Sequence, residues 1–567
     1  VYLLGGEAAA RLFNFSLLLS VLALVNGLLE RLAPPGARLV LTALLASSPI
    51  VQLLTGSLFA ENFWAALLCG AFVALVRYRA SGEGRDARVA AVLLGMGLAT
   101  KFGTIAYVLP LAVLAGVELR RRRALGLAVA LAGLLAVFGL PPYIRALLET
   151  GNPVFPFLNT VFRSPYFDAE SEFTDRRFQA PLSVTSLYDL TFDTSRYLEA
   201  QDGGWGFHYL LFVPLAVLLM RRGSSYAEWA ALGVSLPFSM LTLAVQPNAR
   251  YLYPALPLFT VMAAGAMAAA RSVSARRYGA LLAAGVVLFF LNTWFLPASG
   301  WYHKEFCLNV LAPSDRERYL DSAAPARRLV AYLNQKHPGQ AAVFVETGQS
   351  AGLRGRAYTT SWHHYTFNRR LRSAPSPEDC WKLMEELGIR HFIAPSDPRR
   401  VTPLSLGRFL AVYTRPEYQH AGWQVASLAG APARSWAAQP APPGSYNDTD
   451  LAVAYWGMWE TGRQFPKAAQ GTVTFSNRPG DWFRLAFEGT EVTWFYTKAY
   501  NRGRAEVVLD GVEQGTVDLY SRATVWQART SYGGLGPGAH TLEVRVLGEK
   551  HPAATDCFVD VDLLLVR

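Results

Sequence analysis

The sequence predicts a polytopic α-helical membrane domain, then a small α/β domain, then a C-terminal β-sandwich. Three observations in the 567 residues predict this order. Apolar runs dominate residues 1–300, arginine-rich segments separate several of those runs, and polar and apolar residues alternate after residue 446. The net charge of +11 accompanies arginines placed between apolar runs, which indicates membrane topology rather than nucleic-acid binding.

One predicted span, Asn62–Val76, lies between a carboxylate and two arginines. Glu61 precedes the span, and Arg77 and Arg79 follow it. Its length fits a short membrane-crossing helix. Because arginines beside a span usually mark the cytoplasmic side, Glu61 is placed at the outer mouth. We therefore expect the chemistry of this chain at its outer face.

Eight further apolar segments predict the remaining spans, for about ten crossings in total. They are Leu12–Leu32, Leu39–Leu58 (broken at Pro49), Val89–Leu119, Ala124–Tyr143, Phe207–Met220, Trp229–Val245, Leu252–Ala270 and Tyr278–Leu296. Lys101 lies near the middle of Val89–Leu119, where one continuous span would place its charge in hydrocarbon at a high cost. Two short helices hinged at Lys101 avoid that cost.

The basic segments between the spans predict the topology. With this count, residues 77–88, 120–123, 221–222 and 271–277 all face the cytoplasm. The N-terminus, the loop 144–205 and everything after residue 297 then lie outside. We expect a multi-pass protein of the cytoplasmic (inner) membrane with extracytoplasmic C-terminal domains.

Three charged residues are candidates for the outer-face chemistry, and each has a structural alternative. Glu61 is the candidate catalytic carboxylate, or a helix N-terminal charge favoured by the macrodipole. Lys101 is a candidate cation for a lipid-linked phosphate, or a lysine whose amine reaches the head-groups. Arg250, alone in a short outer loop, suits a phosphate bidentately, or pairs with a carboxylate of the 144–205 loop.

Further residues of the outer face are candidates for a lipid or sugar groove. Prolines disfavour helix in Glu149–Phe157, so we expect an interfacial loop there, with aromatic residues that anchor the protein or line the groove. Solvated loop charges are the alternative for Asp189, Asp193 and Asp202. The predicted groove residues are Asn62, Asn152, Trp205, His208, Tyr251 and Tyr253.

The second half of the chain carries two patterns. Residues 298–430 predict a small α/β domain, with helices at Ala326–Asn334 and Pro377–Leu387 and short strands at Ala341–Glu346, His391–Ala394 and Gln424–Leu428. Residues 431–445, rich in Ala and Pro, predict a linker. Four cysteines are too few for a disulfide framework, which leaves a Cys307–Cys380 bridge open.

Residues 446–567 predict a β-sandwich, because short alternating strands are divided by Gly, Pro and Asn turns. Seven strands are expected, at Gly471–Ser476, Trp482–Phe487, Glu491–Tyr496, Ala505–Leu509, Gly515–Asp518, His540–Leu547 and Cys557–Val566. The alternative for its aromatic residues is a place in the core. The residues predicted to bind sugar are Trp459, Tyr500, Arg502 and Trp526, with Trp456 and Tyr520 as further candidates.

Four segments of the first half resemble, in order, segments of the GT-C glycosyltransferase superfamily, which includes protein O-mannosyltransferases and aminoarabinose transferases. They are Thr55–Glu61 (TGSLFAE), Gly97–Phe102 (GLATKF), Thr150–Phe157 (TGNPVFPF) and Arg250–Pro257 (RYLYPALP). Family members usually carry Asp where Glu61 stands. The resemblance covers about residues 1–300.

The resemblance implies inverting transfer of a sugar from a polyprenyl-phosphate carrier to an extracytoplasmic glycan, lipid or protein, with no nucleotide. In that family the principal catalytic acid lies in the first outer loop. The chain begins at Val1, so we expect this acid to precede Val1, and Glu7 is a poor substitute. No cofactor is assigned, and a divalent cation is left open. The last segment similarly resembles galactose-binding-like jelly rolls, which implies glycan binding.

Two other functions stay open on the sequence. One is a carrier or flippase for lipid-linked sugars, which inverted repeats would favour. The other is a catalytically inactive glycan-binding membrane protein. An Asp in an outer loop after a single N-terminal span would favour the enzyme over the inactive glycan-binding protein.

Overall fold

The computed structural model describes residues 2–57, 59–169, 180, 182–197, 200–220, 224–299, 313–361, 363–429 and 440–567. The chain divides into two compact units, Val1–Cys307 and Leu308–Arg567. The first unit is helical. Its helices are α1 (Tyr2–Leu29), α2 (Pro35–Ser47), α3 (Pro49–Gly56), α4 (Glu61–Ser81), α5 (Gly84–Thr100), α6 (Ile105–Arg121), α7 (Leu125–Gly139), α8 (Pro141–Thr150), α9 (Asn159–Phe162), α10 (Ser186–Phe192), α11 (His208–Leu219), α12 (Tyr226–Val245), α13 (Leu256–Val273) and α14 (Ala275–Trp294).

Within the described residues, six helices are long and apolar enough to cross a membrane, or up to eight if two bent helix pairs each form one span. The bends are 56° between α2 and α3 and 50° between α7 and α8, and both lie where the sequence places prolines. About ten spans were expected. The count is lower because α11 has 12 residues and α5 has 17, which is short for a crossing helix.

Helix α4 is one of the two most buried spans of the first unit. In its most apolar window 67% of the residues are buried, against 78% in the span Ala249–Val273 and 11% in α14. Trp64, Phe72 and Tyr78 along α4 are almost fully buried. The Trp64 ring meets the edge of Phe238 at 6.1 Å. The rest of the bundle therefore fixes the position of both ends of α4.

The predicted break at Lys101 is confirmed. Helix α5 ends at Thr100, Lys101 is extended (φ −155°, ψ 128°), and a 3₁₀ turn at Phe102–Thr104 leads into α6. The Trp64 indole donates a hydrogen bond to Thr104 Oγ1 at 2.7 Å. This bond ties the break to the first turn of α4.

A charged cluster lies at the C-terminal end of α4, around the buried Glu118 of α6. Arg79 Nε lies 3.2 Å from Glu118 Oε2, and Arg122 Nε lies 2.6 Å from Glu118 Oε1. Arg122 also donates to the carbonyl of Arg79 at 3.1 Å. The basic segments 77–88 and 120–123 therefore meet at one end of the bundle, as the topology prediction requires.

The second unit contains an α/β sheet and a β-sandwich. The α/β part holds α15 (Pro313–Ala323), α16 (Ala326–Lys336), α17 (Tyr365–Arg372), α18 (Pro377–Glu386) and α19 (Leu404–Tyr413), with β1 (Ala342–Phe344), β2 (Ala357–Thr359), β3 (His391–Pro395), β4 (Thr414–His420) and β5 (Trp423–Leu428). The strand order is β2-β1-β3-β5-β4, parallel from β2 to β3 and antiparallel beyond. The two helices and three strands predicted for this part are confirmed, and each predicted end lies within two residues of the observed end.

The sandwich is antiparallel. Its strands are β6 (Gly444–Asn447), β7 (Val453–Trp456), β8 (Glu460–Gly462), β9 (Val473–Ser476), β10 (Trp482–Glu488), β11 (Glu491–Lys498), β12 (Gly503–Leu509), β13 (Val512–Asp518), β14 (Val525–Gly533), β15 (Ala539–Lys550), β16 (Val559–Val561) and β17 (Leu563–Val566). A sheet of order β13-β12-β15-β10-β7 faces sheets of order β14-β11-β17-β6 and β16-β9-β8. Phe483, Trp494 and Leu542 lie in the shared core at 0% exposure.

The sequence prediction missed or misplaced several features of this unit. Strands β2, β4, β7, β8 and β14 and helices α15, α17 and α19 were not predicted. Strand β14 was missed because residues 525–533 alternate fewer apolar residues than their neighbours. Strand β6 begins inside the predicted linker 431–445, of which 430–439 lie outside the described residues. Cys380 is buried and carries no disulfide, and Cys307 lies outside the described residues.

The α/β part and the sandwich share a buried contact. Arg408 of α19 is 2% exposed, lies over the Tyr455 ring at 4.8 Å and donates to the carbonyl of Asp450 at 3.0 Å. Burial lowers the pKa of Arg408 to about 10, which still leaves it charged at neutral pH. Leu404 of the same helix belongs to the sandwich core.

The packing of α5 on α7 leads to a stability prediction. A Cβ added at Gly95 would lie 2.9 Å from Phe138 Cβ and 3.0 Å from the Leu135 carbonyl oxygen. A Cβ added at Gly133 would meet no neighbouring atom of the described residues within 4 Å. Gly95→Val should lower the free energy of unfolding by about 1–3 kcal/mol through overpacking. Thermal unfolding of the detergent-solubilised chain, followed by circular dichroism, measures this. The control Gly133→Val should stay within about 0.5 kcal/mol, and equal losses would contradict the close α5–α7 approach.

Candidate functional site

Three charged side chains meet at the N-terminal end of α4. Lys101 Nζ lies 2.6 Å from Glu61 Oε1, and Arg250 Nε lies 3.4 Å from the same oxygen. The Glu61 side chain is 3% exposed, while Lys101 and Arg250 are 25% and 20% exposed. The three residues form what we call the Glu61 site, in which a buried carboxylate is covered by two cations that reach the surface.

Each member of the Glu61 site lies where a helical element begins or breaks. Glu61 is the first residue of α4, and Lys101 lies between α5 and the 3₁₀ turn. Arg250 belongs to the 3₁₀ segment Ala249–Ala255, which Asn248 caps by accepting from the Arg250 amide at 3.1 Å. Polar side chains can gather there because the backbone is not part of a packed helix face.

Aromatic rings surround the two cations. Lys101 Nζ lies 3.9 Å from the centroid of the Tyr251 ring and 4.8 Å from that of Trp64. The Arg250 guanidinium lies 4.7 Å from the centre of the Phe59 ring, and its Nη2 donates to the Tyr251 hydroxyl at 3.1 Å. Cation–π contacts of this kind hold a cation in place with little competing hydration.

Asn62 and Tyr253 support the site from behind and do not line an open groove. The Tyr253 hydroxyl donates to Asn62 Oδ1 at 2.8 Å, and Asn62 Nδ2 donates to Thr55 Oγ1 at 2.9 Å. Both residues are fully buried. Sequence reasoning missed Asn14, which donates to the Leu54 and Thr55 carbonyls at 3.0 and 2.8 Å and closes this network.

Asn152 organises its own loop. Its Nδ2 donates to the Phe157 carbonyl at 2.9 Å, and its Oδ1 accepts from the Val154 amide at 2.9 Å. The Phe157 ring stacks on Phe102, next to Lys101, at 5.6 Å. The loop thus adjoins the Glu61 site, but the Asn152 side chain, which is 0% exposed, is used internally.

Trp205 and His208 lie in a separate buried cluster. Trp205 is 1% exposed, with its ring 5.7 Å from Tyr209. His208 Nδ1 lies 3.1 Å from the Asn292 amide, which also donates to Ser47 at 3.1 Å. The contacts of His208 join α11 to α14, and Trp205 packs on Tyr209. These contacts favour a structural role, and a place for either residue in a substrate groove stays a prediction.

The loop acids of the first unit make local contacts. Asp202 accepts from the Ser195 amide at 3.0 Å. Asp189 accepts from the Thr185 hydroxyl at 2.9 Å and lies 3.9 Å from Arg196. These contacts favour the structural alternative for both acids. Among the described residues, Arg250 pairs with Glu61 at 3.4 Å.

Two residues that were predicted to bind sugar are structural. Trp459 is 2% exposed and packs on Tyr455 and Phe483 in the sandwich core, at ring distances of 5.2 and 5.8 Å. Arg502 Nε lies 2.7 Å from Oδ2 of Asp560, which is fully buried. The burial of Trp459 was missed because strand β7 ends at Trp456, so its alternation does not indicate which side Trp459 faces. The role of Arg502 was missed because its partner, Asp560, is 58 residues away in the sequence.

Other aromatic residues of the sandwich reach the surface. Tyr500 is 56% exposed, and the Trp526 ring lies 5.6 Å from Phe465. Trp456, 41% exposed, lies parallel to Trp482 at 6.3 Å, and Tyr520 stacks on His551 at 4.3 Å. Sugar binding by these rings stays a prediction.

Comparison with known proteins gives partial likenesses. No known protein-family profile matches this chain. A stretch of 98 residues is 31% identical to an A type blood N-acetyl-alpha-D-galactosamine deacetylase from Flavonifractor plautii, and it covers 17% of this chain and 13% of that protein. The match thus spans a small part of the relative's length.

Two solved structures share weak likenesses with the chain. ArnT from Cupriavidus metallidurans in the apo state is 14% identical, with 76% of this chain and 87% of that chain covered at a TM-score of 0.48. The arabinofuranosyltransferase AftD from Mycobacteria is 13% identical, with 100% and 56% covered at a TM-score of 0.44. Both TM-scores lie below 0.5, so neither likeness assigns a function to this chain.

The Arg502–Asp560 pair leads to a second stability prediction. Arg502→Ala should cost about 3–5 kcal/mol, because it leaves the Asp560 carboxylate buried without its cation. The matched control is Arg504→Ala, whose partner Asp518 is 3.2 Å away and as exposed as Arg504 itself, so its loss should be about 0–1 kcal/mol. Scanning calorimetry of the full chain measures both. Equal effects would show that the Arg502 pair is no more important than a surface pair.

Proposed function

We propose that this protein is an integral membrane glycosyltransferase that moves a sugar from a polyprenyl-phosphate carrier to an acceptor outside the cytoplasm. One observation carries the proposal. Lys101 and Arg250, drawn from separate elements, converge on Glu61 at the N-terminal end of α4. This gives two cations and one carboxylate where a phosphate leaving group and an acceptor hydroxyl would meet.

The depth of the Glu61 site supports a lipid-linked substrate. Glu61 and Arg79 are 18 residues apart on α4, which is about 27 Å at 1.5 Å per residue. The hydrocarbon core of a bilayer is about 30 Å thick. If the Glu118 cluster of arginines faces the cytoplasm, the Glu61 site lies at the outer boundary of the hydrocarbon, at the depth of a carrier's phosphate.

The two cations suit a phosphate. Lys101 Nζ and Arg250 Nε lie 2.6 and 3.4 Å from Glu61 Oε1, and both side chains are partly exposed. An anionic phosphate would draw the two cations away from Glu61 Oε1, since their exposed sides face outward. An arginine fork adds two aligned donors to such a phosphate.

The proposed reaction is a single inverting displacement. The acceptor oxygen forms a bond to the anomeric carbon as the bond from that carbon to the phosphate oxygen breaks, and the electron pair leaves with the phosphate. Lys101 and Arg250 stabilise the charge on the leaving phosphate. Glu61, freed from the cations, accepts the acceptor's proton. Separately from this step, Trp526 and Tyr500 of the sandwich are proposed to bind glycan.

The phosphate role is tested with the full-length protein in lipid, supplied with polyprenyl-phosphate sugars, with released lipid phosphate as the readout. Arg250→Ala should reduce turnover by about 100-fold or more, as loss of a donor to a developing charge does elsewhere. The matched control is Arg145→Ala, whose side chain is 77% exposed and pairs with Glu149, and it should leave turnover unchanged. Both variants should stay folded by circular dichroism, because Lys101 still pairs with Glu61 in Arg250→Ala.

Unchanged turnover in folded Arg250→Ala would remove the phosphate role. The alternative functions have their own outcomes. A flippase would move the labelled lipid between leaflets without releasing phosphate. An inactive glycan-binding protein would bind glycan and give no turnover in the wild type.

The role of Glu61 is tested separately by Glu61→Gln, which keeps the side-chain shape and removes the charge. If Glu61 accepts the proton, kcat should fall about 100-fold or more and the acid limb of the kcat pH profile should disappear, since general base catalysis contributes about 10²–10⁴-fold. If Glu61 only positions the two cations, KM should rise while the pH profile keeps its shape. The measurement is the pH dependence of kcat and KM in the phosphate-release assay.

A further inference from the structure

We propose that His337, His391 and Glu417, in the α/β part of the second unit, form a binding site for one zinc-like divalent ion. The candidate ligand atoms of these three residues all lie within 4.8 Å of one another. His337 Nε2 and Glu417 Oε2 are 2.7 Å apart. We call these three residues the His337 cluster. It is independent of the function proposed for the Glu61 site.

Three different elements supply the His337 cluster. His337 directly follows α16, His391 is the first residue of β3, and Glu417 belongs to β4 at the edge of the sheet. Strand β5 lies between β3 and β4. The three side chains therefore come together from the end of a helix and from two strands that are separated by a third. They are far apart in the sequence, so their proximity is a result of the tertiary fold.

A β-bulge places Glu417 in the His337 cluster. In the pairing of β4 with β5, Pro416 is opposite Ala426 and Tyr418 is opposite Val425, so Glu417 is the extra residue. A bulge redirects a side chain and is frequent beside functional sites. Without this bulge, alternation along β4 would place Glu417 and Tyr418 on opposite faces. Both instead contact Tyr332 of α16.

His391 brings a buried imidazole nitrogen, Nδ1, that has no hydrogen-bond partner among the described residues. His391 is 6% exposed. Its ring lies 4.1 Å from the His337 ring. A buried polar nitrogen without a partner costs free energy, and a metal ion at the cluster would give the imidazoles a shared ligand role.

The donor set matches zinc. Two imidazoles and one carboxylate are a common zinc ligand set, with bonds of about 2.0–2.2 Å and a fourth position left to water. In a tetrahedron with such bonds the ligand atoms are about 3.3–3.5 Å apart. In the His337 cluster, His337 Nε2 and Glu417 Oε2 are 2.7 Å apart, and all candidate ligand atoms lie within 4.8 Å of one another. Zinc binding therefore needs only small side-chain shifts.

The surroundings of the His337 cluster fit an ion that exchanges with solvent. The His337 and Glu417 side chains are 29% and 25% exposed, which leaves an open side for a water ligand. The Tyr332 hydroxyl donates to Glu417 Oε2 at 3.3 Å, as hydrogen bonds to metal-bound carboxylates do. A bound ion would fasten the edge strand β4 to the end of α16.

Zinc binding by the full chain in lipid nanodiscs tests this proposal. The protein is stripped with a chelator, titrated with Zn²⁺ by calorimetry, desalted and analysed for bound metal. We expect one zinc per wild-type chain at the site. Each of His337→Ala, His391→Ala and Glu417→Gln should weaken binding at least about 10-fold, since each removes one of three ligands. The control His363→Ala changes an exposed histidine outside the cluster and should bind as the wild type does.

Two outcomes would overturn the site. One is a wild-type chain that retains no zinc, in which case the cluster is a hydrogen-bonded His–Glu pair. The other is binding that Glu417→Gln and His337→Ala leave unchanged, which places the zinc elsewhere. If His391→Ala fails to fold, the two more exposed positions decide, and circular dichroism establishes that they are folded. Substitution of Co²⁺ gives an independent readout, because a four-coordinate His₂Glu site produces absorption bands that the variants should lose.

Discussion

The structure of the first unit depends on how it stabilises one buried carboxylate. Glu61 is 3% exposed at the end of an apolar helix, where an unpaired charge would be expensive. Lys101 and Arg250 remove that penalty, and in return the carboxylate holds two cations that would otherwise repel each other. The break after α5 and the 3₁₀ segment before α13 are the local structures that bring them there.

The same solution appears at the other end of α4. Glu118, also buried, is surrounded by Arg79, Arg121 and Arg122. In both clusters a buried acid holds more than one cation, and aromatic rings flank cations in both. The clusters differ in the origin of their cations. Lys101 and Arg250 come from two separate elements, whereas Arg121 and Arg122 lie within four residues of Glu118 in an arginine-rich segment.

The second unit uses buried ionic groups in a different way. Arg408 joins the α/β part to the sandwich, and Asp560 ties Arg502 to the sandwich core. Burial raises the pKa of Asp560 above its usual range, and the guanidinium of Arg502 opposes that shift. In each case a charge is accepted inside the protein because a specific partner reaches it, so these contacts fix the arrangement of elements within this unit.

The sequence by itself determined the helical first half, the break at Lys101, most strands of the second half, and Glu61, Lys101 and Arg250 as separate candidates. Those features depend on local patterns: apolar length, a charge inside an apolar run, alternation and turn residues. Only the tertiary structure decided that the three candidates share one carboxylate oxygen, that Trp459 lies in the sandwich core and that Arg502 pairs with Asp560. Lys101 is 40 residues from Glu61, and Arg502 is 58 residues from Asp560. Pairings over such distances are set by how helices and sheets pack, and no local pattern encodes them.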